Sequence, residues 1–251
     1  MDDLLRATAR AEQRHFWFRG FRWFVRPLIE RALAGRTRAR ALDCGCGTGA
    51  NLDLIGRTAS AFGFDRSVVG LRFARDSDRR VVRADAGAVP FPTDTFDLVT
   101  SFDVLYSLPD ATEKAAVAEM YRVLKPGGCA IVNVAAMEML RGDHSVLSHE
   151  VRRYSAAQLR TLLTSAGFDI VRLTHTNATL FLPMLVVRGF HRWRGLSAEA
   201  DARGEIAVPG APINAALSAV LFAESLALRW IDAPVGSSLL CLARKPPRDD
   251  R

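Results

Sequence analysis

Short apolar runs take turns with stretches whose apolar residues recur every three or four positions, the patterns of buried strands and of helices. Arg40–Cys44 reads as a short buried strand, and a helix follows over Asn51–Ile55. A second strand covers Ala59–Phe64 and a third Arg80–Arg83. The helix between them is capped by Ser67 and carries Leu71 and Ala74. Phe96–Phe102 is the fourth strand. Asp110 and Glu113 make a capping-box-like start for a helix lined by Val117, Met120, Tyr121 and Leu124. Leu124-Lys-Pro-Gly-Gly128 ends that helix and turns into a fifth strand, Cys129–Ala135. Ser155 and Gln158 form a second capping box, before Leu159, Leu162, Leu163 and Ala166, with Gly167 as the stop. Phe168–Thr174 and Gly236–Ala243 are the last two strands.

Two regions stand outside this alternation. Residues 1–34 read as helical, with Phe21, Phe24, Leu28 and Ala32 at helical spacing and Pro27 set to kink that helix or to start a new one. Residues 176–235 interrupt the last two strands. They open with apolar Phe181–Val187, followed by Arg188, His191, Arg192 and Arg194. Leu196–Pro212 is small and polar, the best candidate for a mobile loop. Ile213, Leu217, Val220, Leu228 and Ile231 then share a helical face with Glu224. The chain divides into a helical cap (1–34), a core (35–175), a helical acceptor-binding insert or lid (176–235) and a last strand with its tail (236–251).

Everything turns on Arg40-Ala-Leu-Asp-Cys-Gly-Cys-Gly-Thr-Gly49, a strand running into three alternate glycines and then a helix. Glycine serves where backbone turns tightly and lies against a ligand. Gly45-x-Gly47-x-x-Ala50 with Asp65 also meets the loose dinucleotide fingerprint. Asp43 inside the strand speaks instead for a cationic ligand. The stretch resembles motif I of the class I S-adenosylmethionine (SAM) methyltransferases, and Leu-Lys-Pro-Gly-Gly before the fifth strand resembles the same family. His15-Phe-Trp-Phe-Arg-Gly20 resembles the His-Trp-Trp-Phe-x-Gly-Arg signature of one bacterial group within it, with Phe16 for the first Trp and Phe21 for the final Arg.

The resemblance implies a Rossmann-like, doubly wound seven-stranded α/β sheet in the order 3-2-1-4-5-7-6, with the last strand antiparallel beside the fifth. It implies SAM as cofactor. Asp43, Gly45, Cys46, Gly47, Thr48 and Gly49 would form the floor, and Asp65 and Arg66 the ribose end. Asp85 and Ala86 would hold the adenine, and Phe102 is a further cofactor-binding residue. His15, Phe18 and Arg19 would close over the cofactor from the cap.

Composition narrows the partner. The net charge is +7 and the pI about 9.8, but the arginines are spread over the whole length. Diffuse basicity speaks against nucleic acid and for a small substrate, anionic or apolar, or a peripheral membrane contact through the insert. No Asn/Asp-Pro-Pro-Tyr/Phe-like motif follows the fourth strand, where Asp103-Val-Leu-Tyr106 stands. The cysteines, 44, 46, 129 and 241, lack metal spacing and read as free thiols. No secretory segment or transmembrane run of the roughly 20 residues required is visible, so a cytoplasmic place is expected.

For the reaction, Arg141–Tyr154 offers the most chemistry, and it resembles the Asp-His…His-x-x-Arg-Arg-Tyr segment of the same bacterial group. His144 or His149 is the expected base for a hydroxyl acceptor. Tyr106 stands where the family often carries Glu-His and is a further catalytic candidate. Arg152, Arg153 and Tyr154 are expected to bind the acceptor, as is Glu224 of the insert, and no metal is expected. The expected function is methylation of a small molecule such as a lipid, glycan precursor or secondary metabolite; the rivals are a non-catalytic SAM-binding protein, a C- or N-methyltransferase acting by alignment without a base, and, further off, a nucleic-acid methyltransferase.

Overall fold

The computed structural model describes residues 2–141, 145, 150–194 and 208–248. Its strands are β1 (Arg40–Cys44), β2 (Ser60–Asp65), β3 (Val81–Arg83), β4 (Phe96–Phe102), β5 (Leu124–Ala135), β6 (Asp169–Thr176) and β7 (Ser238–Arg244). They form one sheet in the order β3-β2-β1-β4-β5-β7-β6. β7 runs antiparallel to both β5 and β6, and the remaining pairs are parallel. The expected sheet is therefore present, strand for strand.

All seven residues of β4 are buried, as a central strand covered on both faces requires. In β7, Leu239, Cys241 and Ala243 face one core cluster and Leu240 and Leu242 the other, the period of two that a two-sided sheet imposes. The helices are α1 (Asp2–Ala11), α2 (Phe16–Ala32), α3 (Ala50–Ile55), α4 (Val68–Asp76), α5 (Asp110–Val123), α6 (Ala156–Ser165), α7 (Phe181–Arg194) and α8 (Ala211–Ala227). One core cluster joins Val117 and Met120 of α5 to Leu159 and Leu163 of α6. The other joins Val25 and Ile29 of α2, Ile55 of α3 and Leu221 of α8.

Several local expectations change. The N-terminal region is two helices, because His15 caps α2 and breaks it from α1. Pro27 does not end α2, since Phe24, Val25, Leu28 and Ile29 on either side of it are all buried. The Ser155–Gln158 capping box is present in full, but Asp110 is no cap. The N-cap of α5 is Pro109, and the Asp110 carboxylate pairs instead with Arg152 at 2.5 Å. Pro212 belongs to the first turn of α8, and residues 196–207 of the expected loop lie outside the described residues.

The apolar face expected on α8 is split. Leu221, Glu224 and Leu228 are buried, whereas Ile213, Val220 and Ile231 are 59%, 40% and 64% exposed. The reason is Gly20 of α2: a Cβ there would stand 2.4 Å from Leu221 Cδ1. The two helices approach through that glycine, and this turns Ile213 and Val220 outward. Among the described residues no helix is long and apolar enough to cross a membrane.

Candidate active site

The loop after β1 is left-handed at Gly45, Gly47 and Gly49, with φ of 75°, 52° and 81°. L-residues with a Cβ rarely adopt such angles, so the sequence requires glycine at each turn of the backbone. Packing reinforces this at Gly45, where a Cβ would lie 2.4 Å from Val104 Cγ2. At Gly47 the only atom of the described residues within 4 Å of such a Cβ is Leu5 Cδ2, at 3.3 Å. The backbone there is open except for α1, which lies across it.

The acid at the end of β2 shapes this loop. Asp65 Oδ2 accepts from Gly47 N at 2.8 Å and Oδ1 from Ser67 N at 2.7 Å. A carboxylate has about four acceptor sites, so two remain for the hydroxyls expected there. Asp85, at the end of β3, is exposed and accepts from Gly87 N at 2.9 Å. Ala86 beside it is half-buried, and Arg66 is exposed. Asp43 is 1% exposed and accepts from Thr100 Oγ1 at 2.6 Å. Burial pushes its carboxyl up to about 7, against the opposing pull of Thr100 and with a smaller push from Asp65. Cys46 and Phe102 are buried, and the Phe21 ring meets Phe102 edge-on with centroids 5.0 Å apart.

The loop is braced by two residues with no sequence signal. Glu12, only 8% exposed, accepts from Thr48 Oγ1 at 2.6 Å. Arg79 donates to Thr48 O at 2.7 Å while its other nitrogens hold both Asp53 oxygens. The three cap residues each have a structural task. His15 Nδ1 accepts from Trp17 N at 3.1 Å, Phe18 packs on Ala11, and the Arg19 guanidinium stands 5.4 Å from the Trp23 ring. Asn214 of α8 clasps the same corner, accepting from Phe16 N at 2.8 Å and donating to Arg14 O at 2.9 Å.

The acceptor-side expectations fare differently. His144 and His149 lie outside the described residues. Tyr106 is 6% exposed and belongs to the core cluster with Leu105, so its ring is packed where an acceptor would need it open. Arg153 is a correction: its side chain is 6% exposed, holds Glu150 at 2.9 and 3.0 Å and donates to Ala136 O at 3.1 Å. Its charge is matched inside the protein. Arg152 likewise meets Asp110 at 2.5 Å and Glu113 at 3.2 Å. Tyr154 is 4% exposed and its hydroxyl donates to Glu113. Burial, then the bond to Glu113, hold that phenol well above its usual range. Glu224 is 6% exposed and accepts from the amides of Ala178 and Thr179 at 2.8 and 3.0 Å, capping the turn before α7. An open cleft of about 730 Å³ borders this network, lined in part by Met137, Arg141, Val151 and His175. Arg141 there is also engaged, with Glu138 at 2.9 Å and Glu150 O at 2.8 Å.

Asp103, which carries no motif of its own, directly follows β4 beside the glycine loop. Its φ is 60°, and Asn133 of β5 holds it twice: Asn133 Nδ2 donates to its Oδ1 at 2.9 Å, and Asn133 O accepts from its amide at 3.0 Å. Asn133 is itself 3% exposed. Surrounding protein pushes the Asp103 carboxyl up to about 7, opposed by the Asn133 bond. The residue is itself exposed to solvent.

Residues 42–132 match the family described as a methyltransferase domain. A "probable S-adenosylmethionine-dependent methyltransferase" of Mycolicibacterium smegmatis is 30% identical over 163 residues, which span 63% of this chain and 61% of that protein. The ubiquinone/menaquinone biosynthesis C-methyltransferase UbiE of Marinomonas is 42% identical over 77 residues, 30% of this chain and 28% of that one. The chain thus spans under two thirds of both relatives. Among solved structures, the [4+2]-cyclase SpnF aligns with a TM-score of 0.58 at 24% identity, covering 89% of this chain and 80% of that one. Residues 42–132 thus carry the match to a methyltransferase domain, and the relative from Mycolicibacterium smegmatis is named for dependence on S-adenosylmethionine (SAM). The residues fit that cofactor: an open glycine backbone, a buried acid under it, and carboxylates at the ends of β2 and β3. When bound, SAM supplies a methyl group already activated by a sulfonium.

Proposed function

We propose that the protein methylates a hydroxyl of a neutral small molecule, and that Asp103 takes the hydroxyl proton. The observation that carries this is the Asp103–Asn133 pair: a solvent-reached carboxylate fixed in left-handed backbone at the end of β4, next to the glycine loop. Asn133 keeps the carboxylate pointed in one direction, and a base near neutrality is suited to proton removal at ordinary pH. The closed ion pairs of Arg152 and Arg153 support a neutral acceptor, since neither leaves a charge for an anion. In this reading α7 and α8 shape the acceptor's pocket, with His15, Phe18 and Arg19 positioning the cap over the cofactor.

The test is SAM turnover against prenyl, phenolic, amine and sugar acceptors, with Asp103→Asn, His144→Ala and His149→Ala in parallel. Asp103→Asn is expected to lose about 10²–10⁴-fold in kcat while S-adenosylhomocysteine binding, read by calorimetry, stays normal. The wild-type rate should rise with pH through about 7 as Asp103 deprotonates. An Asp103→Asn rate within a few-fold of wild type removes Asp103 as the base, and a loss confined to a histidine variant returns that role to the 144–149 segment.

A further inference from the structure

The outer face of α8 has no polar group. Its exposed residues are alanines, Pro212, Ile213, Val220, Phe222 and Leu226. The only charged residue in the helix is Glu224, and that side chain is buried under the turn before α7. A surface helix normally turns a polar face to water, whereas α8 keeps its polar groups inside and turns an apolar face outward, the pattern of a helix that something covers. Just past its end stand Arg229, Trp230 and Ile231, with the indole 88% exposed. α7 repeats the pattern. Leu182, Val186, Phe190 and Trp193 lie on one helical stripe and are 69%, 73%, 56% and 82% exposed. α7 also carries Arg188, Arg192 and Arg194 and no acid.

We propose that the exposed faces of α7 and α8 lie on a bilayer surface that carries anionic lipid. Tryptophan beside arginine suits this place, because each has an apolar body and a tip that stays wet at the headgroup level. Charge selects the occupant. A second copy would bring the same arginine-bearing α7 and the same net charge of +7 against itself, whereas an anionic surface attracts both. The segment between the helices carries Glu199, Asp201 and Glu205 against Arg203 and lies outside the described residues, so the charge argument is made on the helices. Neither helix is long and apolar enough to cross the bilayer; each would lie in its surface. This docking is independent of which acceptor is methylated.

The experiment is co-sedimentation of the full chain with vesicles of phosphatidylcholine alone and of phosphatidylcholine mixed with phosphatidylglycerol. The chain should partition to the mixed vesicles at least about tenfold more strongly, and added salt should weaken that binding. Val220→Asp and Trp230→Asp, both on exposed positions, should each reduce partition about tenfold or more with an unchanged circular dichroism spectrum. Sedimentation with neither vesicle overturns the proposal. So does binding that both variants leave intact, or equal binding to the two vesicles. Light scattering that shows a dimer, broken by Val220→Asp, would give the face to a second copy instead.

Discussion

Two polar regions sit at the same edge of the sheet and have opposite characters. In the glycine loop, the acids keep bonding capacity in reserve: Asp65 holds two amides and has sites left, and Asp85 is exposed. In residues 150–154, every described charge is matched by another, Arg153 with Glu150 and Arg152 with Asp110 and Glu113, and the neutral Tyr154 hydroxyl donates to Glu113. The second region looks richer in sequence, yet it staples a loop to α5 and β5. Dense functional groups indicate a ligand site only where their bonds are not already used within the protein.

The largest effect should separate the two directly. Arg153→Ala removes one member of the buried Arg153–Glu150 pair, and loss of one member of such a pair costs about 3–5 kcal/mol. Thermal or denaturant unfolding should show that loss. Full stability together with a raised acceptor KM would return Arg153 to the acceptor. Gly47→Val should remove S-adenosylhomocysteine binding beyond calorimetric detection. It would put a branched side chain into the open loop and strain a φ of 52°. Normal affinity in the folded variant would sink the site. Asp65→Ala should weaken cofactor binding about tenfold to a few hundredfold, as charged acceptors are lost for ligand and loop amides alike; an unchanged Kd would place the ribose elsewhere.

The last effect concerns pH. Asp43 stands near 7 in the folded protein against 3.8 when exposed. Between those values the folded state keeps a proton that the unfolded state has lost. Its contribution to stability is therefore full below about 3.8 and declines as pH rises through 7, with a slope of at most about 1.4 kcal/mol per pH unit. Asp43→Asn should flatten the profile in part, and an unaltered slope would mean that Asp43 is ionised throughout.

What the sequence made legible was mostly local. The Ser155–Gln158 box needs only residues three apart, and the glycines and Asp43 lie within seven positions of one another. Asp110 misled because its partner, Arg152, is 42 positions away, so a local capping pattern lost to a distant charge. The same separation hid Glu12 from Thr48 and Asp103 from Asn133, which are 36 and 30 positions apart. The α8 face was misjudged because helical spacing shows which residues share a side, while Gly20 decides which side is covered.

That approach of α2 to α8 also has a consequence in time. Phe16 and Asn214, which bond across the same contact, are 198 positions apart. At about 5–20 residues per second of synthesis, α2 would wait roughly 10–40 s before its partner exists. Until then the Gly20 face has no Leu221 to cover it, so a ribosome-bound chain ending before Ala211 should be cut by protease along α2 where the finished protein resists.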